Sequence, residues 1–215
     1  MTGSSFARGK TRGRFITVEG IEGSGKSTQL RYIQAFLESA GKSVVITREP
    51  GGTSVGEALR GLLLDPCYEA MASDTELLMV FAARAEHIAK LIRPAVAQGR
   101  WVVCDRFTDA TYAYQGGGRG IARPRIAQLE RWVQDGLRPD LTLLLDVSPE
   151  VGLARATARG AKDRFERESD KFFARTRATY LSQARRDPQR YRVIDAGPAV
   201  AAVQAEIAAV LEQFL

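Results

Sequence analysis

Short apolar runs alternate with longer amphipathic stretches along the chain. FITVE (15–19), SVVIT (43–47), WVVCD (101–105), LTLLLDV (141–147) and YRVID (191–195) are nearly continuous in apolar residues. Such runs predict strands buried on both faces, as in a parallel sheet covered by helices. Between them apolar residues recur at helical spacing. Leu30, Ile33 and Leu37 mark a helix over 26–40 that Gly41 closes. Leu77, Leu78, Phe81, Ala85, Ile88, Leu91 and Ile92 mark a long helix over 74–98, interrupted near Pro94. Val203, Ile207, Val210 and Leu211 mark a last one over 198–214. Alternating strands and helices imply right-handed crossovers and a three-layer α/β/α sandwich. No internal repeat, linker or second domain interrupts the pattern.

Composition narrows the class. The 215 residues, 45% hydrophobic and 26% charged, suit one globular domain with its own core. A formal charge of +6 favours anionic partners: nucleotides, nucleic acid or a membrane surface. Part of that excess sits in MTGSSFARGKTRGR, where Arg8, Lys10, Arg12 and Arg14 stand among Gly and Ser. Residues 1–13 are expected to form a flexible basic leader, and 14–215 a single domain. No apolar segment of the signal-peptide kind follows the leader. Cys67 and Cys104 lack metal-type spacing and read as reduced thiols. The lone histidine, His87, sits beside Glu86 in a helical stretch and reads as a surface or boundary residue. No apolar run approaches the ~18 residues that span a bilayer. A cytoplasmic location without membrane contact is expected.

Chemistry enters with the first strand. GIEGSGKS, Gly20 to Ser27, fits G-x-x-x-x-G-K-[ST] and lies between a strand and a helix, as a phosphate loop must. Its glycines let successive N–H groups turn toward phosphate oxygens, and the helix start adds positive potential. Lys26 should reach the β- and γ-phosphates, and the Ser27 hydroxyl should sit on Mg²⁺. The loop contains no arginine, so transition-state charge must be met from elsewhere. It does contain Glu22, which either serves a metal or a neighbouring ligand's hydroxyl, or points at solvent.

Two further positions match that site. Arg48, in TREPGGT, and Arg106, in DRF, stand at the carboxyl ends of adjacent predicted strands, where ligands bind in open α/β sheets. An arginine fork pairs bidentately with phosphate and keeps its charge. A second arginine cluster suits a kinase acting on a phosphorylated small molecule; a hydrolase using water has no need of one. Asp105 and Asp146 both close apolar strands and compete for the Mg²⁺-ordering role, with Asp105 preferred because an arginine follows it. Further along, GLARATARGAKDRFERESDKFF sets Arg155, Arg159, Lys162, Arg164 and Arg167 among Asp163, Glu166 and Glu168. This is either a salt-bridged exposed helix or a closing lid, about 152–168, that brings an arginine to the transferring phosphoryl group.

The motifs EGIEGSGKST, REPGGT, FAAR, DRF, YAYQGGGRG, RPDLTLLLDV and DRFERE, in this order, resemble bacterial thymidylate kinases over about 14–214. Within that family the chain resembles the subgroup with lid arginines and none in the phosphate loop. The resemblance implies a P-loop NTPase fold with a five-stranded parallel sheet and a helical lid. It also implies γ-phosphate transfer from ATP to dTMP giving dTDP, with Mg²⁺, in a homodimer that binds no nucleic acid, its contact on the long helix ending near Gln98. Carried onto this chain, Gly20, Ile21, Glu22, Gly23, Ser24, Gly25, Lys26, Ser27 and Thr28 would hold ATP. Lys26, Arg106, Arg164 and Asp105 would carry catalysis, and Ser27 and Asp105 the metal. Glu22, Arg48, Phe81, Arg84, Arg106, Thr111, Tyr114 and Gln115 would line the dTMP site, and Arg155, Arg159 and Arg164 the lid. Relatives place an aromatic ring four residues before the FAAR arginine, where this chain has Val80; Phe81 follows, roughly 100° around the helix. Phe165 stands where a tyrosine can occur. Two other readings stay open from the residues: a kinase for a different nucleoside monophosphate, and a basic nucleotide-regulated module that binds nucleic acid. A switch GTPase is disfavoured, because no NKxD-type sequence is present.

Overall fold

The computed structural model describes residues 12–158 and 163–215. At its centre is a parallel sheet of β1 (Phe15–Glu19), β2 (Val44–Arg48), β3 (Trp101–Asp105), β4 (Leu141–Asp146) and β5 (Tyr191–Asp195), in the order β2-β3-β1-β4-β5. All residues of β1 are buried, because helices cover both faces of the sheet, which explains its continuous apolar run. The three-layer expectation therefore matches the structure. Register brings the chemistry together: Val18 pairs with Asp105, and Asp105 with Arg48. The segments following β1, β3 and β2 thus leave the sheet side by side.

Helices α1 (Lys26–Ser39), α2 (Ser54–Leu64) and α3 (Ser73–His87) follow the first two strands. The long helix expected over 74–98 is not continuous. After α3 come a π-helical turn, Ile88–Ile92, and α4 (Arg93–Ala97). Pro94 has no N–H to offer Lys90 and its ring crowds that carbonyl, so the wider turn absorbs the mismatch. A short α5 (Thr108–Thr111) runs into a second π-helical segment, Tyr112–Gly118, and is followed by α6 (Arg123–Gln134). Then come α7 (Pro149–Thr157), α8 (Asp170–Arg186) and α9 (Val200–Phe214). Ile33, Leu37, Phe173, Ile207 and Leu211 meet the sheet's inner residues in one core.

Among the described residues, packing includes Gly13, one residue before the expected boundary at 14. The Gly13 N–H donates to Val96 O at 3.0 Å, close against Arg100. The first eleven residues of the expected leader lie outside the described residues. No described helix is long and apolar enough to cross a membrane.

Candidate active site

In the phosphate loop, Gly20 and Gly23 stand where a side chain would strike neighbouring backbone. A Cβ on Gly23 (φ +70°) would fall 1.9 Å from Gly152 O on α7, so loop and helix touch backbone to backbone. Ser27 lies in the first turn of α1. Lys26 folds back to donate to Gly20 O (3.2 Å) and Ile21 O (3.1 Å). Burial, then the nearby Arg106 charge, lowers its pKa to about 8.

Arg106 follows β3 in a left-handed conformation, φ +68°, which side chains rarely adopt. Bonds on both sides hold it there: Arg106 N–H donates to Val18 O (3.0 Å) and Phe107 N–H to Glu19 Oε1 (2.8 Å). Its fork reaches Gly20 O (2.8 Å) and Glu22 Oε1 (2.9 Å), and the Tyr114 hydroxyl donates to Glu22 Oε2 (2.6 Å). Glu22 therefore faces into the site and not toward solvent. These groups open on one cavity of about 220 Å³. Gly23, Gly25, Lys26 and Ser27 line its loop side, and Glu49, Val80, Arg84, Thr111, Tyr114 and Gln115 its far side.

Several residues stand elsewhere than the sequence led us to expect. Arg48 does not line the cavity; it pairs with Glu57 (2.7 Å), half exposed, at the end of edge strand β2. Arg60 of α2 lines the cavity in its stead, donating to Pro50 O (3.0 Å). Burial, then the charge of Arg48, lowers its pKa. Phe81 does not line the cavity. It packs with Leu77, Tyr112, Ile121 and Ile126, and one helical step leaves Val80 on the cavity wall.

The inward face of α3 sets three polar side chains among its apolar ones. Glu76, Arg84 and His87 are essentially inaccessible. Far from being a surface residue, His87 bridges Glu49 Oε1 (2.9 Å) and Thr47 Oγ1 (2.7 Å). Glu49 Oε2 accepts from Arg84 Nε (2.7 Å), and Arg84 Nη2 donates to Thr111 Oγ1 (3.0 Å). Gln115 donates to Glu76 Oε1 (2.7 Å). Sequence reasoning missed Glu49, Arg60 and Glu76. Spacing of four between Glu76, Val80 and Arg84 was the available signal for one shared face.

The residues expected in the lid fall in different places. Arg159 and Lys162 lie outside the described residues, and 163–168 forms turns, not helix. Arg155 donates to Ala196 O (2.7 Å) and Gly197 O (2.9 Å), pinning α7 to the loop after β5. Arg164 does not line the cavity. Its partners are Glu76 (2.7 Å) and Leu63 O (2.7 Å), because a fully buried carboxylate draws in cations. Arg119 completes that cluster by pairing with Glu76 and Glu168. Asp163, Phe165 and Glu166 face the cavity instead.

Between the two candidate metal carboxylates the geometry discriminates. Asp146 is bound at both oxygens by Arg177 (2.7 and 2.8 Å). Asp105 lines the cavity, as Ser27 does, and its Oδ1 is buried without a hydrogen-bond partner. Among the described residues no group of three or more His, Cys, Asp or Glu gathers for a metal. One carboxylate and one hydroxyl beside a phosphate loop fit Mg²⁺, which takes its remaining oxygens from phosphates and water.

Comparison with known proteins bears on what this cavity accepts. A family model described as thymidylate kinase matches residues 18–207. The thymidylate kinase of Pseudomonas savastanoi pv. phaseolicola is 59% identical over 203 residues, 94% of this chain and 97% of its own. That of Ectopseudomonas mendocina is 61% identical over 203 residues, with the same coverage of 94% and 97%. The crystal structure of thymidylate kinase from Ehrlichia chaffeensis matches with a TM-score of 0.75 at 37% identity, covering 94% of this chain and 99% of that one.

Proposed function

The chain belongs to the thymidylate kinase family, and on that premise we propose how its residues transfer the γ-phosphate of ATP to dTMP. The observation that carries the reading is the single cavity shared by Lys26 of the phosphate loop, Arg106, and the far wall of Arg84, Thr111, Tyr114 and Gln115. Two anionic ligands can meet there end to end.

In this reading the loop from Gly20 to Thr28 cradles the donor phosphates, with Lys26 on the β- and γ-oxygens. Arg106, with Arg60 beside it, holds the acceptor phosphate. Arg84 and Thr111 face the base, and Tyr114 crowds the sugar. Ser27 and Asp105 would hold Mg²⁺, which neutralises charge on the bridging phosphates. Catalysis is positioning plus charge neutralisation, with no strong general base. Closure by the segment containing Asp163, Phe165 and Glu166 excludes water that would otherwise take the phosphate. Arg48 acts at the rim through Glu57, and Arg164 through Glu76. We also propose a cytoplasmic enzyme that works as a homodimer. Exposed Leu62 and Leu78 on the neighbouring helices α2 and α3 support such a contact.

Chromatography of a reaction containing ATP, dTMP and Mg²⁺ tests the reading. Equal amounts of ADP and dTDP should appear, little ADP should form without dTMP, and Asp105→Asn should raise the Mg²⁺ requirement. ADP forming without dTDP would contradict it.

A further inference from the structure

We propose that His87 is a positioning residue of the acceptor site: through Glu49 it sets the orientation of the Arg84 guanidinium. The inference rests on the reading of Arg84 as a group that faces the acceptor's base.

His87 is fully buried and does not line the cavity, whereas Glu49 and Arg84 both do. The two Glu49 oxygens bond to different side chains. Oε1 meets His87 Nδ1 (2.9 Å) and Oε2 meets Arg84 Nε (2.7 Å). A carboxylate oxygen in an ion pair accepts, so Nδ1 carries a proton and donates to Glu49, while Nε2 and the Thr47 hydroxyl share the second bond. The turn after β2 seals this imidazole from water. A Cβ on Gly52 (φ +77°) would lie 2.6 Å from His87 Nε2 and 2.5 Å from Thr47 Oγ1.

Arg84 is held by two kinds of contact. Phe81 and Phe107 lie 4.8 and 5.0 Å from its guanidinium carbon. Ring contacts restrict the guanidinium's place but leave its rotation about its own axis soft. Glu49 and Thr111 set that rotation, by directional bonds to Nε and Nη2. The remaining nitrogen, Nη1, is buried without a hydrogen-bond partner. It is the donor left for a ligand. Removing the imidazole would leave Glu49 Oε1 an unsatisfied buried acceptor, free to turn and to carry Arg84 with it. Because a guanidinium only donates, its proper aim favours a base carbonyl over a base amino group, as in thymine against cytosine.

The test is steady-state kinetics of the full chain with dTMP and dCMP. His87→Ala should raise KM for dTMP by about tenfold while kcat and KM for ATP stay within about twofold. It should also narrow the preference for dTMP over dCMP. His87→Asn, whose amide nitrogen falls near Nδ1, should recover most of the loss; His87→Gln, whose amide reaches toward Thr47, should not. Wild-type KM in all three variants, or equal loss in all three, overturns the proposal. Arg84→Met separates the two layers. If it keeps the wild-type preference, the base-facing reading of Arg84 fails; if it loses the preference and the His87 variants do not, only the positioning role fails. Should His87→Ala not fold, the wild-type protein still decides. Its single histidine gives one pair of imidazole nitrogen signals, with a proton expected on Nδ1, and an unprotonated Nδ1 overturns the proposal.

Discussion

Glu22 Oε1 lies 2.9 Å from Arg106 Nη2, so the phosphate loop and the segment after β3 hold each other at the centre of the cavity. A carboxylate that looks misplaced among phosphates is thus an anchor for Arg106, the arginine proposed to meet the second anion. Tyr114 adds to it through the opposite oxygen of Glu22 and a ring 4.7 Å from the guanidinium carbon.

Arg106→Ala should therefore lower kcat/KM for dTMP by about 10² to 10³, a size seen when a pre-aimed charge partner is lost. Folding should suffer far less than rate. Kinetics and thermal unfolding on the same preparation check this, and a normal rate with normal dTMP affinity would contradict the acceptor assignment.

Lys26 carries a pH signature. Burial, then Arg106, lowers its pKa to about 8, so above that pH the free enzyme holds an uncharged amine. A triphosphate favours the ammonium and raises that pKa again. Binding of an ATP analogue should take up protons above about pH 8 and few below about pH 7. Calorimetry in buffers of different ionisation enthalpy reads the uptake directly, and its absence above pH 8 would show that Lys26 does not meet the triphosphate.

Glu19, at the end of β1, predicts a pH dependence of stability. Burial, then the charge of Asp109, raises its pKa from 4.5 to about 8. The folded protein therefore keeps a proton that the unfolded chain releases above about 4.5. The stability it contributes is complete below about pH 4.5 and is lost as pH rises toward 8. Glu19→Gln should flatten that decline. Urea unfolding of both proteins at about pH 5, 6.5 and 8 measures it, and identical slopes would contradict the shift.

What the chain revealed beforehand depended on whether backbone or side-chain direction carried the signal. The phosphate loop and the strands were legible because glycine spacing and unbroken apolar runs report backbone conformation. Arg106 and Asp105 followed because a strand end has one place in a parallel sheet. Arg48 shares that kind of position, yet at an edge strand its side chain finds Glu57 outside the cavity. Phe81 and Val80 differ by one helical step, which decides between core and cavity. The charged text after Gly152 did not disclose that Arg164 would bind the distant Glu76, nor did the helix pattern show that His87 would be enclosed. Those contacts exist only after the helices pack.

The identity of the acceptor is tested most directly by a coupled assay comparing kcat/KM for dTMP, dUMP, dCMP, dGMP and UMP under one set of conditions. The account predicts a clear preference for dTMP. A preference for any of the other four would contradict it.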